Sequence, residues 1–77
     1  RYTVIARRNG DNWYIAGVNA MEEAIELQLD LPMLKGEKVN IYNDNNKKEP
    51  TLINHTIKKD GSYKVTIQPN GGFVIKQ

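Results

Sequence analysis

His55 is the only histidine of the 77-residue chain, which contains no cysteine. A lone imidazole cannot build a zinc site without further His or Cys partners. No Ser or Cys nucleophile adjoins it in sequence either. Asn43-Asp44-Asn45-Asn46 is oxygen-rich like a calcium loop. It lacks the alternating ligand spacing, central Gly and closing bidentate Glu of an EF-hand, and reads instead as an Asx-stabilised turn. Glu22, Glu23 and Glu26 could be cast as an acid/base pair, but they sit in a solvent-facing pattern with nothing nearby to tune them. Gly71-Gly72 precedes no helix and so makes no phosphate loop; it marks a bulge or a close backbone approach. Asn54-His55-Thr56 fits a glycosylation sequon, which matters only in a eukaryotic secretory setting. The residues therefore offer no catalytic, cofactor-binding or metal-binding set. The remaining chemistry is aromatic. Trp13, Tyr14 and Tyr42 could stack on sugar rings, with Trp13 and Tyr42 the candidate stacking residues. The competing role for them is core packing, because aromatic side chains dominate buried area.

The elements that must position these residues are strands. Tyr2 to Ile5 and Trp13 to Val18 flank Asn9-Gly10-Asp11, and Asn-Gly is a strong hairpin signal because a tight turn needs positive φ. A turn at Asn9-Gly10 sets Ala6 opposite Trp13; a turn at Gly10-Asp11 sets Ala6 opposite Ile15. Met21 to Leu31 favours a helix by propensity, but Ile25, Leu27, Leu29 and Leu31 alternate strictly with polar or small residues. Alternation puts them on one strand face, so a strand is expected. Pro32 ends that ladder, and Leu34 to Glu37 forms a turn. Lys38 to Tyr42 is a strand with Val39 and Ile41 inward. Asn43 to Pro50 is a polar loop. Leu52 to Lys58 is a strand with Ile53 and Ile57 on one side. Lys59-Asp60-Gly61-Ser62 reads as a second hairpin turn, followed by an alternating strand at Tyr63, Val65 and Ile67. Phe73-Val74-Ile75 is the last strand. The pattern predicts an all-β fold: a small antiparallel two-layer β-sandwich of about seven strands. Ile25, Leu27, Leu29, Val39, Ile41, Val65 and Ile67 are its expected core.

Length and charge narrow the function classes. The chain is one domain, and a domain this small buries only ~60–65% of the surface its unfolded chain exposes. Its net charge of +2 is too weak to indicate nucleic acid. The basic pairs Arg7/Arg8, Lys47/Lys48 and Lys58/Lys59 are spread along the chain, whereas a phosphate-tracking surface needs clustering. A small nucleic-acid-binding barrel would have to show a steep salt dependence. No apolar run is long enough to span a bilayer as a helix, and no signal-peptide pattern opens the chain.

The first hairpin is unusual in being apolar on both faces. Val4, Ala6, Trp13 and Ile15 share one side; Ile5, Tyr14, Ala16 and Val18 share the other. A hairpin of this kind is expected to lie centrally and to be covered on both sides. A two-layer sandwich covers only one side from within. Trp13 and Ile15 offer more area to the core, and Tyr14 can keep its hydroxyl wet at a rim. Ile5, Tyr14, Ala16 and Val18 are therefore the candidate docking face, through which an isolated domain would self-associate.

Three stretches also carry a family resemblance: Val4-Ile5-Ala6-Arg7-Arg8, Gly10-Asp11-Asn12-Trp13-Tyr14-Ile15-Ala16-Gly17-Val18-Asn19, and Ile67-Gln68-Pro69-Asn70-Gly71-Gly72-Phe73-Val74-Ile75. Leu29-Asp30-Leu31, Leu34-Lys35-Gly36 and Ile41-Tyr42-Asn43-Asp44 fall between them in matching order. On these residues nearly the whole chain resembles the C-terminal β-sandwich domain of family 97 glycoside hydrolases, bacterial α-glucosidases and α-galactosidases. Many members carry a Trp shortly after the Gly17 position, where Asn19-Ala20-Met21 stands here. The resemblance implies that residues 1–77 form a single C-terminal accessory domain cut from a larger glycosidase. It also implies a parent catalytic (β/α)8 barrel as partner, contacts between copies, and a periplasmic location. In that family the catalytic carboxylates and calcium-binding residues lie in other domains. It thus implies no catalytic residue and no cofactor in this chain. A carbohydrate-binding module remains the alternative from another class.

Overall fold

The computed structural model describes residues 2–44 and 49–77. Arg1, the Asn45-Asn46 part of the expected Asx turn and the Lys47/Lys48 pair lie outside the described residues. The strands are β1 (Tyr2–Asn9), β2 (Asn12–Asn19), β3 (Ile25–Asp30), β4 (Lys38–Asp44), β5 (Pro50–Thr56), β6 (Ser62–Ile67) and β7 (Gly72–Lys76). One layer is a five-stranded sheet in the order β1-β2-β7-β4-β5; the other is the β3-β6 pair, and all pairings are antiparallel. The expected sandwich is the observed one. Periodicity prevails over helix propensity at Ile25–Asp30, which is a strand.

The first turn is the two-residue loop Gly10-Asp11, since Asn9 lies opposite Asn12 and Ala6 opposite Ile15. Gly10 takes φ +64°, the glycine-first arrangement that suits the twist of a hairpin. The hairpin is not central, however. β1 is an edge strand, and the middle of the large sheet is β7, hydrogen-bonded to β2 on one side and β4 on the other.

Pairing register sorts the large sheet into two faces. Ile15 lies opposite Ile75, Ile75 opposite Ile41, and Ile41 opposite Ile53. This isoleucine row faces the small sheet. The buried core is Ile15, Leu31, Leu34, Val39, Ile41, Ile57, Val65, Ile67, Phe73 and Ile75. Val39, Ile41, Val65 and Ile67 were expected there. Ile25, Leu27 and Leu29 are only half-buried, because a two-stranded layer leaves its own flanks open while covering the wider sheet.

Leu34 is fully buried rather than a simple turn residue. Pro32–Leu34 form one turn of 3-10 helix, and the Leu31 amide donates to the Gly61 carbonyl at 2.7 Å. Leu31 and Leu34 together close one end of the sandwich. Ile53 and Ile57 both turn toward the core side, Ile53 in register with Ile41, but they are buried unequally. Ile53 is 48% exposed and Ile57 is buried, because β5 ends at Thr56 and the chain crosses layers there. The Ile57 amide donates to Glu37 O and its carbonyl accepts from the Gly36 amide, at 2.9 and 3.0 Å.

The Asp60-Gly61 turn likewise joins two different sheets and is not a hairpin, for β5 pairs with β4 and β6 with β3. Its local chemistry is still that of an Asx turn. Asp60 Oδ1 accepts from the Ser62 amide at 2.9 Å and from its hydroxyl at 2.8 Å. Those bonds, the amide first, hold the Asp60 carboxyl below its ordinary value of 3.8. A carboxylate with a depressed folded pKa stabilises the fold above its unfolded pKa, and that contribution is lost as pH falls through the folded value. Thermal melts below about pH 4 should therefore decline more steeply for the native chain than for Asp60→Asn, which keeps an acceptor oxygen but does not titrate. Parallel curves for the two would refute the linkage.

Candidate functional site

The outward face of the large sheet has no second layer. Across its middle, Ile5 lies opposite Ala16, Ala16 opposite Val74, Val74 opposite Tyr42, and Tyr42 opposite Leu52. One apolar row thus crosses every strand of the sheet. Its members are well exposed: Ile5 48%, Val74 36%, Tyr42 43% and Leu52 57%, with Val18 at 57% in the next row. Scattered apolar residues on a surface are ordinary, whereas a contiguous row of this extent marks a contact surface.

Beside the row runs a shallow groove of about 290 Å³, lined chiefly by Ala16, Val18, Tyr42, Pro50, Gly72 and Val74. Gly72 leaves its floor open, and the reason is steric. A Cβ there would lie 2.8 Å from the Gly17 carbonyl oxygen, so the two backbones approach too closely for a side chain. Lys76 borders the row, with its ammonium 5.9 Å from the Tyr14 ring centroid. The surface is therefore apolar at its centre and cationic at one rim.

The candidate docking residues Ile5, Tyr14, Ala16 and Val18 all lie on this face; Ile5 and Val18 are exposed, Tyr14 and Ala16 half-buried. Val74, Tyr42 and Leu52 extend it and were not read as part of it. The candidate stacking residues are not brought together. Tyr42 is on the outward face, whereas Trp13 is half-buried on the inward face against the core. Trp13 is tied to the end of β7, its amide donating to Gln77 Oε1 at 3.0 Å.

The inward face positions this surface through two features invisible to simple patterning. Gly17 lies opposite Phe73, whose ring occupies the space a Gly17 side chain would fill; a Cβ there would overlap Cε2 and sit 2.9 Å from Cζ. Asn19 is the buried polar residue among the described residues. Its Nδ2 donates to the carbonyls of Glu23 at 2.8 Å, Ile67 at 3.2 Å and Gln68 at 3.3 Å, while its Oδ1 accepts from the Met21 amide at 2.9 Å. These bonds fasten the β2–β3 crossover to the end of β6. Both the donor and the acceptor end of the amide are paired, as burial demands.

His55 is half-buried, with its ring centroid 5.1 Å from that of Tyr63 at an interplanar angle of 54°. Burial pushes the Tyr63 hydroxyl pKa up. Glu26 approaches Lys64 at 3.9 Å in an exposed pair, which adds little stability. Among the described residues no group of three or more His, Cys, Asp or Glu side chains could hold a metal ion.

The same architecture recurs in domains carried by glycosidases. A crystal structure of an arabinofuranosidase aligns with TM-score 0.70 at 20% identity, covering 97% of this chain and 18% of that one. The GH51 alpha-L-arabinofuranosidase from Thermotoga petrophila RKU-1 aligns with TM-score 0.66 at 19% identity, covering 99% of this chain and 19% of that one. These two share the fold. A beta-arabinopyranosidase crystal structure is much nearer, with TM-score 0.95 and 43% identity over 100% of this chain and 12% of its own. In sequence, a retaining alpha-galactosidase of Bacteroides thetaiotaomicron is 33% identical over 82 aligned positions, which cover 97% of this chain and 12% of the relative. Residues 1–77 match the family described as glycosyl-hydrolase 97 C-terminal, oligomerisation, and the chain belongs to that family. It spans about an eighth of the length of the nearer relatives, 12% in each case.

Proposed function

We propose that this chain is a non-catalytic accessory domain of an α-glycosidase, which lays the outward face of its large sheet against the parent's catalytic barrel. The carrying observation is the uncovered apolar row from Ile5 to Leu52. The small share of each nearer relative that the chain covers supports the barrel as occupant, since the bulk of such an enzyme lies outside this segment. The alpha-galactosidase and beta-arabinopyranosidase relatives favour a parent acting on galactoside-like or arabinopyranoside-like bonds over an α-glucosidase. Catalytic carboxylates and any calcium belong to that parent.

Two experiments test this. Hydrolysis of the glycosidic type needs two carboxyl groups flanking the scissile bond, about 5–9.5 Å apart, so the purified 77-residue chain should not turn over nitrophenyl α-glycosides; reproducible turnover would refute the assignment. In the full-length enzyme, Val18→Lys should loosen the domain, seen as faster proteolytic release of the C-terminal fragment. The same change should leave the isolated chain within about 0.5 kcal/mol of its original stability. Release at an unchanged rate would exclude the barrel from this face.

A further inference from the structure

The row that fills the core is cut off at β5. Ile15, Ile75 and Ile41 are 1%, 0% and 1% exposed, yet Ile53, next in the same row, is 48% exposed. Among the described residues no further strand lies beyond it, because β5 is the outer strand of its sheet. Leu52, pointing to the opposite face of the same strand, is 57% exposed. β5 is thus apolar and open on both faces as well as along its edge.

Exposed edges are normally guarded by charged side chains, bulges or proline, since unpaired N–H and C=O groups template further pairing. The other outer strands carry such guards: Arg7 and Arg8 on β1, Glu26 and Asp30 on β3, Lys64 on β6. β5, with the sequence Pro-Thr-Leu-Ile-Asn-His-Thr, has no Asp, Glu, Lys or Arg. Its pairing with β4 runs residue for residue from Thr56 to Pro50 without a bulge. Its proline stands at the first position and leaves the rest of the edge able to donate. Of the outer strands, this one alone is unguarded.

We infer that β5 is the seam between two copies of this chain, paired antiparallel with its own symmetry mate so that the two large sheets become continuous. The inference takes up the assembly role in the family description and is independent of the barrel-facing proposal. A strand edge is self-complementary about a two-fold axis, as a symmetric dimer requires. An axis normal to the sheet keeps each residue on its own face, so it must pass through a residue rather than between two. The register that uses the whole strand centres on Ile53, setting Ile53 against its mate, Leu52 against Asn54 and Pro50 against Thr56. The isoleucine row then continues through the axis into the second copy, and Ile53 gains the cover it lacks.

The test uses the 77-residue chain, with circular dichroism confirming that each variant stays folded. A one-strand seam is narrower than the ~1,600 Å² of a standard stable interface, so sedimentation equilibrium should show a monomer–dimer equilibrium that shifts with concentration. Ile53→Lys places like charges face to face across the axis and should weaken the dimer about tenfold or more, a change of ~1.4 kcal/mol. The chain has no cysteine, so Ile53→Cys under mild oxidation should yield a disulfide-linked dimer faster than Ile5→Cys on the outward face. Preferential linking at position 53 supports the seam even where the unlinked dimer is too weak to sediment. Equal or slower linking than Ile5→Cys overturns it. So does a dimer that survives Ile53→Lys but is lost on Val18→Lys, which would leave the assembly role standing and move it to the outward face.

Discussion

Ile67→Ala should lower the free energy of unfolding by about 2–5 kcal/mol, the range for truncating a fully buried isoleucine. Ile67 is 0% exposed, lies opposite Ile25 on β3, and its carbonyl receives the Asn19 amide. The loss has two parts: the transfer of methyl and methylene groups out of the core, and the cavity that the small sheet cannot close. Domains of this length have only about 4–12 kcal/mol in hand, so the variant should be partly unfolded at physiological temperature. Urea unfolding measures it, with Ile5→Ala as the surface comparison, expected within about 0.5 kcal/mol of the native chain. Equal losses at both positions would show that the sandwich does not bury what its register says it buries.

Gly17→Ala should destabilise the domain by about 1–3 kcal/mol, the usual cost of overpacking. Backbone preference alone argues the opposite sign, since Ala in mid-strand should gain roughly 0.5–1 kcal/mol over Gly. Sterics decides, because the Phe73 ring lies where the new methyl group would go. Phe73 is buried at 3% exposure and cannot swing into solvent without uncovering the core. Phe73→Leu alone should also cost stability, but the double variant should be more stable than the summed losses predict, by about 0.5–3 kcal/mol of coupling. Additive losses would mean that the ring relocates freely, and that the glycine serves the backbone rather than the packing.

Strand positions were legible because alternation is a local property. Ile25, Leu27 and Leu29 announced a strand against the propensity of their neighbours, and Gly10 announced the first turn. Sheet membership was not legible. The Asp60-Gly61 turn has the composition of a hairpin, but β6 pairs with the distant β3, beside which the Leu31 amide bonds the Gly61 carbonyl, while β5 pairs with β4. Leu34 escaped notice because a single 3-10 turn has no period to read. At the candidate site, the contribution of β1 and β2 was visible in a hairpin apolar on both faces. Val74, Tyr42 and Leu52 join it only through pairings that no short window of sequence contains. Trp13 and Tyr42 differ in face for the same reason: the parity of a strand is readable, but not which parity meets the core.

The central place of β7 bears on how the chain is made. β1–β2 and β4–β5 are each hairpins whose strands are near neighbours in sequence, and both can form while synthesis is still under way. They remain two fragments until the last strand arrives between them, bringing Phe73 and Ile75. Ribosomes add about 5–20 residues per second, so for several seconds the nascent domain displays the unpaired edges of β2 and β4. Those edges will later lie inside the sheet, and selection for guards on them is barred by the packing they must accept. A messenger truncated just before Gly72 would fix that interval permanently. Its product would hold two sticky half-sheets, a substrate for chaperones and proteases rather than a weakened copy of the domain.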